Sequence, residues 1–577
     1  MREHVATSAA DILGETALRQ PRGRARRLMA GAVFATALGG ASWPGVAAAK
    51  DSLVIGVAQF PASLHPDISA QTVQFYAIGF ALRPVTALDS QGRNECLLCT
   101  ELPTLENGLA KLEPRPDGSR GMAVTIKLRP ELQWGDGAPV TASDLAFTWK
   151  VGSDPNSGFD NQHPWARATG VDVVDAHTAV IHLPKTLTSY NQWDQLLPEH
   201  IEGPIYRAGK SPGDYINHTA YNAAPTTPGL WNGPYLISGY QSGAQIQYAP
   251  NPHWHGTKPG FEHVVLKLVD NTAALQANLL SGDVDMTPAG IGLSIDQAVA
   301  LKAQHPGQFV FDFKPGLAYE RIDLQTANPF LQDHRVRQAL LQAMDRETLV
   351  KRLFGGYALV ADTWLNDVEP NYTADVPKYA FDPAAARMLL DAAGWTAGSD
   401  GIRRNAHGDR LSFEFATTAG NRIRELTQTV MQNWWKAIGV EVSIANQPPR
   451  GFFGELMRKR AYTGLAEYND NVQIGLVPTL TYGTVAIPTP ANNYSGQNWA
   501  GFSDPRMDSD MAQAETELDP AKQKTLWADM QRVYATDIPE LPLYFRTDPD
   551  ILPPWLRGYV ATGREDYVSF WAENWHS

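Results

Sequence analysis

The chain has 577 residues, of which 43% are hydrophobic and 10% aromatic, and its formal net charge is −13. That length can bury several cores and predicts about two or three domains. The acidic balance disfavours nucleic acid and anionic membrane surfaces as partners, although it selects no ligand.

Residues 1–49 are predicted to be an export signal rather than part of the fold. Arginines precede the apolar run Leu28–Leu38, which is too short to span a bilayer. Small residues ending at Ala49 suggest cleavage there and a periplasmic protein, and the missing cysteine argues against a lipid anchor. The adjacent pair Arg26 and Arg27 fits a twin-arginine signal as well as an ordinary secretory one, and both routes stay open.

The chain has two cysteines, Cys96 and Cys99, in a C-x-x-C spacing. A second cysteine pair for a zinc site is missing, and export implies an oxidising compartment. The favoured interpretation is a local disulfide that fixes a loop; a redox centre is the weaker alternative.

The first elements predict mixed α/β architecture. An apolar run at the mature start reads as a buried strand, and prolines then force a loop. Alternating patterns downstream predict further strands, and one helix follows in the middle region before a glycine. The predicted strands are 52–58, 122–128, 178–183 and 264–269, and the predicted helix is 272–280.

The segment Trp134–Phe147 predicts a tight turn that leads into a capped helix. Its Asp-Gly pair with a following proline is typical of a turn. Thr141 then serves as the N-cap, and Asp144 stands three residues later as the acidic partner of a capping-box pair. This physics predicts local structure and no function.

The third region carries the clearest helix signals. Asp333, Asp345 and Asp382 each precede an apolar helical pattern, as N-cap residues do. A hairpin is predicted from 401–403 to 411–415, and a helix through 431–436 and a strand at 440–444 follow.

Catalytic and metal motifs are missing from the sequence. It contains no G-x-S-x-G, H-E-x-x-H, Walker A or strand-following dinucleotide fingerprint. His253 and His255 alternate sides of an extended segment, which favours a surface role over a metal. Asp283 and Asp285 could in principle act as paired carboxylates, but a turn after a helix is the favoured interpretation. We therefore expect neither an enzyme nor a bound cofactor or metal.

Several words along the chain resemble a known family in the expected order. Trp134–Phe147 resembles the W-x-D-G-x-P-x-T-A-x-D-V-x-F signature of the bacterial extracellular solute-binding proteins of family 5, the peptide and nickel type that serves ABC importers. The words NGPY, NPHW, LLSGDVDM, DHRVRQALLQAMDRETLV, FDPAAARMLLDAAGW, IGVEVSI and LPLY extend the resemblance over residues 51–560.

The resemblance implies a periplasmic-binding-protein-like α/β fold, a large two-lobed clamp of three subdomains whose mixed sheets are connected by a hinge. Lobe I is expected at 50–90, 205–315 and 535–577, an extra subdomain at 91–204, and lobe II at 316–534. The expected function is capture of a peptide or peptide-like solute by lobe closure. Delivery to an ABC permease and ATPase would follow, and we expect a monomer without nucleic-acid partners.

The ligand site is expected among aromatic and polar side chains at strand ends facing the cleft, because such pockets combine stacking area with a few placed polar groups. For each aromatic residue the alternative is core packing. The candidates are Phe75, Tyr76, Trp231, Asn232, Tyr319, Arg321, Trp364, Glu467, Asn469, Asp470, Tyr494 and Trp499.

One departure from the resembled pattern concerns the ligand. Peptide-binding members often carry an Asp in a W-x-x-D-x-x-D-P-like segment that pairs with the ligand ammonium. This chain has 466–472, AEYNDNV, in its place, where Glu467 or Asp470 would have to substitute. Sugars, opines, haem, metal chelates and modified peptides therefore stay open as ligands. A chemosensory binder and, less favoured, a secreted hydrolase are the alternative functions.

Overall fold

The computed structural model describes residues 50–68, 71–115, 118, 120–159, 164–563 and 568–577. The predicted export signal at 1–49 therefore lies outside the described residues. Residues 51–577 form one compact unit. Within the described part of this unit, no helix combines the length and apolar character needed to cross a membrane.

Strands are distributed along the whole of this unit. Their bounds are β1 Ser52–Val57, β2 Thr86–Leu88, β3 Asn94–Cys96, β4 Ala110–Pro114, β5 Arg120–Lys127, β6 Gly170–Val173, β7 Thr178–Leu183, β8 Tyr235–Gln241, β9 Gln245–Pro250, β10 His263–Leu268, β11 Val310–Asp312, β12 Ala318–Leu324, β13 Leu359–Val360, β14 Thr396–Ala397, β15 Arg403–Arg404, β16 Ser412–Ala416, β17 Glu441–Ile444, β18 Leu465–Asn471, β19 Glu540–Phe545 and β20 Asp550–Leu552.

Helices alternate with these strands. Their bounds are α1 Thr72–Gly79, α2 Ala142–Gly152, α3 Glu199–Ala208, α4 Asp214–His218, α5 Ala220–Ala223, α6 Thr272–Ser281, α7 Ile295–Gln304, α8 His334–Gln342, α9 Arg346–Phe354, α10 Pro383–Ala392, α11 Arg422–Ala437, α12 Pro449–Gly451, α13 Thr479–Tyr482, α14 Pro505–Ala514 and α15 Pro520–Asp537. A π-helical turn, Phe452–Met457, follows α12 directly.

The first sheet has the strand order β1-β10-β9-β8, with β1 and β10 parallel. Leu53, Ile55 and Val57 of β1 are fully buried, which explains why the apolar run at the mature start forms a strand. The strands expected at 52–58 and 264–269 and the helix expected at 272–280 are confirmed, and α6 ends at Gly282 in the left-handed conformation.

A second sheet, ordered β4-β5-β7-β6, contains the two strands expected at 122–128 and 178–183. The predicted capping box at the start of α2 is confirmed, because the Asp144 carboxylate accepts the Thr141 N–H at 2.8 Å. Asp144 is buried and also accepts the Glu199 N–H at 2.9 Å, so it ties α2 to α3. Cys96 and Cys99 are joined in a disulfide with 5.4 Å between their Cα atoms.

The third sheet has six strands in the order β13-β19-β12-β18-β16-β17. The helix starts expected at Asp333, Asp345 and Asp382 are confirmed, since each carboxylate accepts a backbone N–H of its helix. The hairpin expected from 401–403 to 411–415 is confirmed around its turn, where Arg404 and Arg410 form an antiparallel bridge and Leu411 donates its N–H to Arg403 O at 2.8 Å. Beyond this turn, β16 pairs in parallel with β17 and β18. The buried rings of Phe413 and Phe415 explain this, because they need the covered interior of a sheet.

Two chain crossings connect the first sheet with the third, and we call residues 310–324 and 540–552 the hinge ribbon. At one end β11 pairs with β20, and Ile551 exchanges both backbone hydrogen bonds with Thr287, whose neighbour Met286 bridges to β1. At the other end β12 pairs with β19 in the middle of the six-stranded sheet. The ribbon therefore belongs to both sheets.

The position of β19 differs from the expected boundary of the first lobe. Residues 535–577 are expected in that lobe, but Glu540–Phe545 pairs with β12 and β13 of the third sheet. The strand has to lie there because it is the return crossing of the ribbon, and all six of its residues are buried. The remaining lobe boundaries stay predictions.

Asp550 in the hinge ribbon predicts a pH dependence of stability. It is paired directly with Asp312 across β11 and β20, and burial, opposed by hydrogen bonds from Tyr559 and Ala289, raises its pKa to about 7. A folded state that binds this proton more tightly than the unfolded state loses stability as pH rises from about 4 to about 7. The free energy of unfolding falls by at most about 4 kcal/mol over this pH range.

Asp550→Asn should remove this dependence, because Oδ1 can still accept from Ala289 N–H and Tyr559 O–H. We expect a melting temperature above wild type at about pH 8 and equal to it at about pH 4. Differential scanning calorimetry measures both, with the exposed Asp51→Asn as the control. A gain of equal size at both pH values would contradict the assignment.

Candidate ligand-binding site

The candidate site lies where strand β18 ends beside the hinge ribbon. Val472, just after β18, donates its N–H to Leu317 O at 3.2 Å, immediately before β12. Along β18 alternate side chains point to opposite faces of the sheet. Tyr468 and Asp470 therefore share one face, while Glu467 and Asn469 share the other.

The face of Tyr468 holds a buried cluster of charges around Arg321, which is 2% exposed. The Arg321 Nε lies 3.0 Å from an Asp323 oxygen and 2.7 Å from a Glu540 oxygen. Its Nη2 donates to the Tyr468 hydroxyl at 3.0 Å, and the guanidinium lies over that ring at 4.6 Å. This arrangement neutralises carboxylates that burial would otherwise penalise.

Tyrosine hydroxyls complete the cluster on its inner side. One Glu540 oxygen accepts from Tyr482 at 2.8 Å and from Tyr534 at 3.0 Å, and the Tyr534 hydroxyl also contacts that of Tyr319. Burial raises the pKa of Glu540 to about 8, with Arg321 opposing the rise. Burial of Glu540 therefore favours its protonated form, while Arg321 and the Tyr482 hydroxyl favour the ionised one.

Asp470 forms the outer edge of this cluster. Its side chain is 30% exposed, and one of its oxygens lies 3.3 Å from the Arg321 Nη1. The same oxygen accepts from the Thr481 hydroxyl at 3.3 Å. Asp470 is accessible to a ligand, but its charge already has a partner.

On the opposite face Glu467 is fully buried, and neither of its carboxyl oxygens has a hydrogen-bond partner among the described residues. Nearby, Arg424 of α11 forms an ion pair with Glu320 of β12. Arg424 also donates to Thr418 Oγ1 at 3.1 Å and to Asn469 Oδ1 at 2.9 Å. Every nitrogen of this guanidinium is thereby committed to a group other than Glu467.

Aromatic side chains pack on the Tyr468 face of β18 and in the loop that follows. Trp499 is half-buried with its ring 5.2 Å from that of Tyr468, and its indole N–H has no acceptor in the described part of the chain. Trp364 packs on Tyr482 and Tyr534 in the core beneath the Arg321 cluster. Tyr494 lies in the loop before Trp499, half-buried, with a left-handed backbone (φ 56°) that is unusual for its residue type.

The candidates of the first lobe lie in or beside a buried core. Tyr76 and Trp231 are fully buried, and the Trp231 indole donates to Pro225 O at 2.8 Å. Asn232 accepts the Arg83 N–H at 2.8 Å, and Phe75 packs half-buried against the same core. These contacts tie α1 and the approach to β8 together, and the expectation that the four residues face the cleft stays a prediction.

Sequence reasoning missed Arg424 and Glu540 as neighbours of the site. Asp283 and Asp285, weighed above as paired carboxylates, have structural roles: Asp285 accepts the Val54 N–H, and Asp283 accepts from Ser281. Among the described residues no group of three or more His, Cys, Asp and Glu side chains could hold a metal ion.

Two lysines form contacts between segments that are far apart in the chain. Lys185, beyond the second sheet, lies 3.2 Å from a Glu515 oxygen in the loop after α14. At the hinge, Lys314 Nζ donates to the carbonyls of Ser90 and Ala561, both at 3.3 Å. These contacts hold the third sheet against the rest of the molecule.

Two sheets joined by a double crossing, with a polar site beside it, define a two-lobed binding protein. The profile of the bacterial extracellular solute-binding proteins, family 5 middle region, matches residues 105–497. The chain belongs to this family, and it is a solute-binding component of an ABC importer. The expected clamp fold is confirmed.

Individual relatives agree with this assignment. An oligopeptide-binding protein of Thermus thermophilus, solved with a pentapeptide, is 30% identical, with 91% of this chain and 96% of that chain covered and a TM-score of 0.68. The oligopeptide-binding protein AppA of Bacillus subtilis is 24% identical over 79% of this chain and 81% of its own length. NikA of Brucella suis, solved with Fe(III)-EDTA, shares the fold at 18% identity, with 90% and 98% covered and a TM-score of 0.72.

Replacing the cation of the buried cluster should destabilise the protein strongly. Arg321→Met leaves Asp323 and Glu540 without their buried partner, and we expect a loss of about 3–5 kcal/mol in the free energy of unfolding. The matched control is Arg93→Met, which removes an exposed pair with Asp89 and should cost less than about 1 kcal/mol. Chemical denaturation followed by tryptophan fluorescence measures both, and equal losses would refute the assignment.

Proposed function

We propose that this protein captures a peptide or peptide-like solute between its lobes and that Glu467 binds the solute's cationic amino end. The observation that carries this proposal is the buried Glu467 carboxyl group, whose two oxygens lack a hydrogen-bond donor among the described residues. Burying such a group without a partner costs free energy. A ligand ammonium would supply the missing donors.

Asp470, the alternative partner for an amine, is less suited to the role. It is bound by Arg321 and Thr481, so a ligand would have to compete with a buried guanidinium. Glu467 has no such competitor in the described part of the chain, because Arg424 is committed to Glu320, Thr418 and Asn469. Electrostatics therefore favours Glu467 over Asp470 as the ammonium partner.

The rest of the candidate site can serve the remainder of the ligand. The half-buried Trp499 offers a ring face and an indole N–H without an acceptor among the described residues. Asn469 is half-buried at the end of β18, where its side chain can reach polar atoms of a ligand backbone. The pentapeptide bound by the Thermus relative supports a peptide over a sugar, an opine, haem or a metal chelate.

Delivery completes the proposed role. Residues 1–49 act as a cleaved signal that exports the chain to the periplasm. Lobe closure favours the ligand-bound state, because the closed form contacts the ligand from both sides. The closed monomer then docks on an ABC permease and its ATPase, and no bond of the solute is broken.

The amine partner is tested by comparing free and N-acetylated peptides on the purified mature protein. We expect di- to pentapeptides with a free amino end to bind at least about tenfold more tightly than their acetylated forms, because acetylation removes the charge that Glu467 would pair. Isothermal titration calorimetry measures both affinities. Equal binding of free and blocked peptides would exclude an ammonium clamp.

Variants of the two carboxylates separate the candidates. Glu467→Gln should abolish the preference for free amines, since the amide has the same shape and cannot ionise. Asp470→Asn, the matched control on the neighbouring face, should keep that preference. The reverse outcome would assign the amine to Asp470.

A further inference from the structure

We propose that capture of an amino end displaces one proton from Glu467 to solvent, so that ligand binding is coupled to pH. This inference rests on the proposed function, because it requires Glu467 to be the partner of the amine. It adds that the free protein holds Glu467 as the neutral acid. The geometry around that carboxyl group carries the argument.

Three elements pack charged or titratable groups against Glu467. Strand β12 contributes Glu320, helix α11 contributes Arg424, and strand β19 contributes Tyr544. Glu320 and Arg424 pair with each other, so that their charges largely cancel at Glu467. With Asn469 neutral on the same face, no uncompensated cation among the described residues stabilises an ionised Glu467.

Solvent cannot stabilise that charge either. Glu467 is fully buried, and its oxygens receive no donor from the described residues. Burial raises the pKa of Glu467 well above its usual value, the Glu320 carboxylate adds to the rise, and Arg424 opposes it. Burial without a donor therefore favours the neutral acid in the free protein.

The proton balance of binding follows from these states. The free protein holds one proton on Glu467, and the free peptide holds one on its amino group, whose pKa is about 8. In the complex only one of these two protons remains, and it lies between the carboxylate and the amine of the ion pair. The carboxyl O–H bond is broken heterolytically, and its proton passes to the buffer.

Affinity must then depend on pH with a defined sign. Because one proton is released, the dissociation constant should fall about tenfold for each unit of pH rise. This holds between the pKa of Glu467 in the complex and the pKa of Glu467 in the free protein, and only below about pH 8, where the free amine loses its own proton. An amine partner that is already ionised in the free protein would give no such dependence below that pH.

The experiment counts protons by calorimetry at about pH 6. The probe is the tightest binder among the free-amine di- to pentapeptides, titrated into the full mature protein in phosphate and in bis-tris. These buffers differ in ionisation enthalpy, so the difference in observed binding enthalpy gives the number of protons released. We expect close to one for the wild type, and a value near zero would overturn the proposal.

Variants identify the source of the proton. Glu467→Gln should release none and should bind the same peptide with an affinity independent of pH. Asp470→Asn should still release one proton, and so should Glu467→Asp if it binds. Proton release that persists in Glu467→Gln would place the proton on another group and refute the proposal.

The outcomes also separate this proposal from the proposed function. If no peptide binds, or if free and acetylated peptides bind alike, the proposed function fails and this inference fails with it. If free amines are preferred without proton release, the proposed function stands, and the coupling to pH alone is refuted.

Discussion

The structure depends on one antiparallel pairing, that of residues 310–324 with residues 540–552. One end of this ribbon extends the first sheet through Thr287, and the other forms the middle of the six-stranded sheet. Because both crossings run side by side, neither sheet can shift without bending the short segments between the paired ends. The proposed ligand groups of β18 lie directly beside this pivot, so that the proposed closure and binding would act at the same place.

The two faces of β18 handle buried carboxyl groups in opposite ways. Around Arg321 each carboxylate has a cation or a hydroxyl within reach, which makes that cluster a rigid part of the fold. Among the described residues that face Glu467, Arg424 is the only cation, and it forms an ion pair with Glu320. The same sheet therefore has one face on which the buried carboxyl groups are paired, and one buried carboxyl group that lacks a donor among the described residues and suits a ligand.

Much of the fold could be predicted because its causes are local. Asp333 and Asp382 cap their helices through N–H groups two or three residues away, and Asp144 closes its capping box in the same way. The site was only partly predictable. Glu467 was named, but its partnerless state among the described residues depends on Arg424, which pairs with a residue 104 positions away. No spacing rule in the sequence relates positions so far apart. The sequence also cannot distinguish a ligand-facing role from core packing for the aromatic candidates Tyr76 and Trp231.

The sequence by itself determined the family, the capped helices and several of the strands. These follow from short-range patterns and from family motifs that occur in the expected order along the chain. Tertiary structure alone decided that Glu540–Phe545 returns to the third sheet and that Arg424 pairs with Glu320. It also decided that Glu467 is buried without a hydrogen-bond donor among the described residues, whereas Asp470 is paired with Arg321. Burial and charge pairing set these outcomes, and both depend on residues that come together only when the chain has folded.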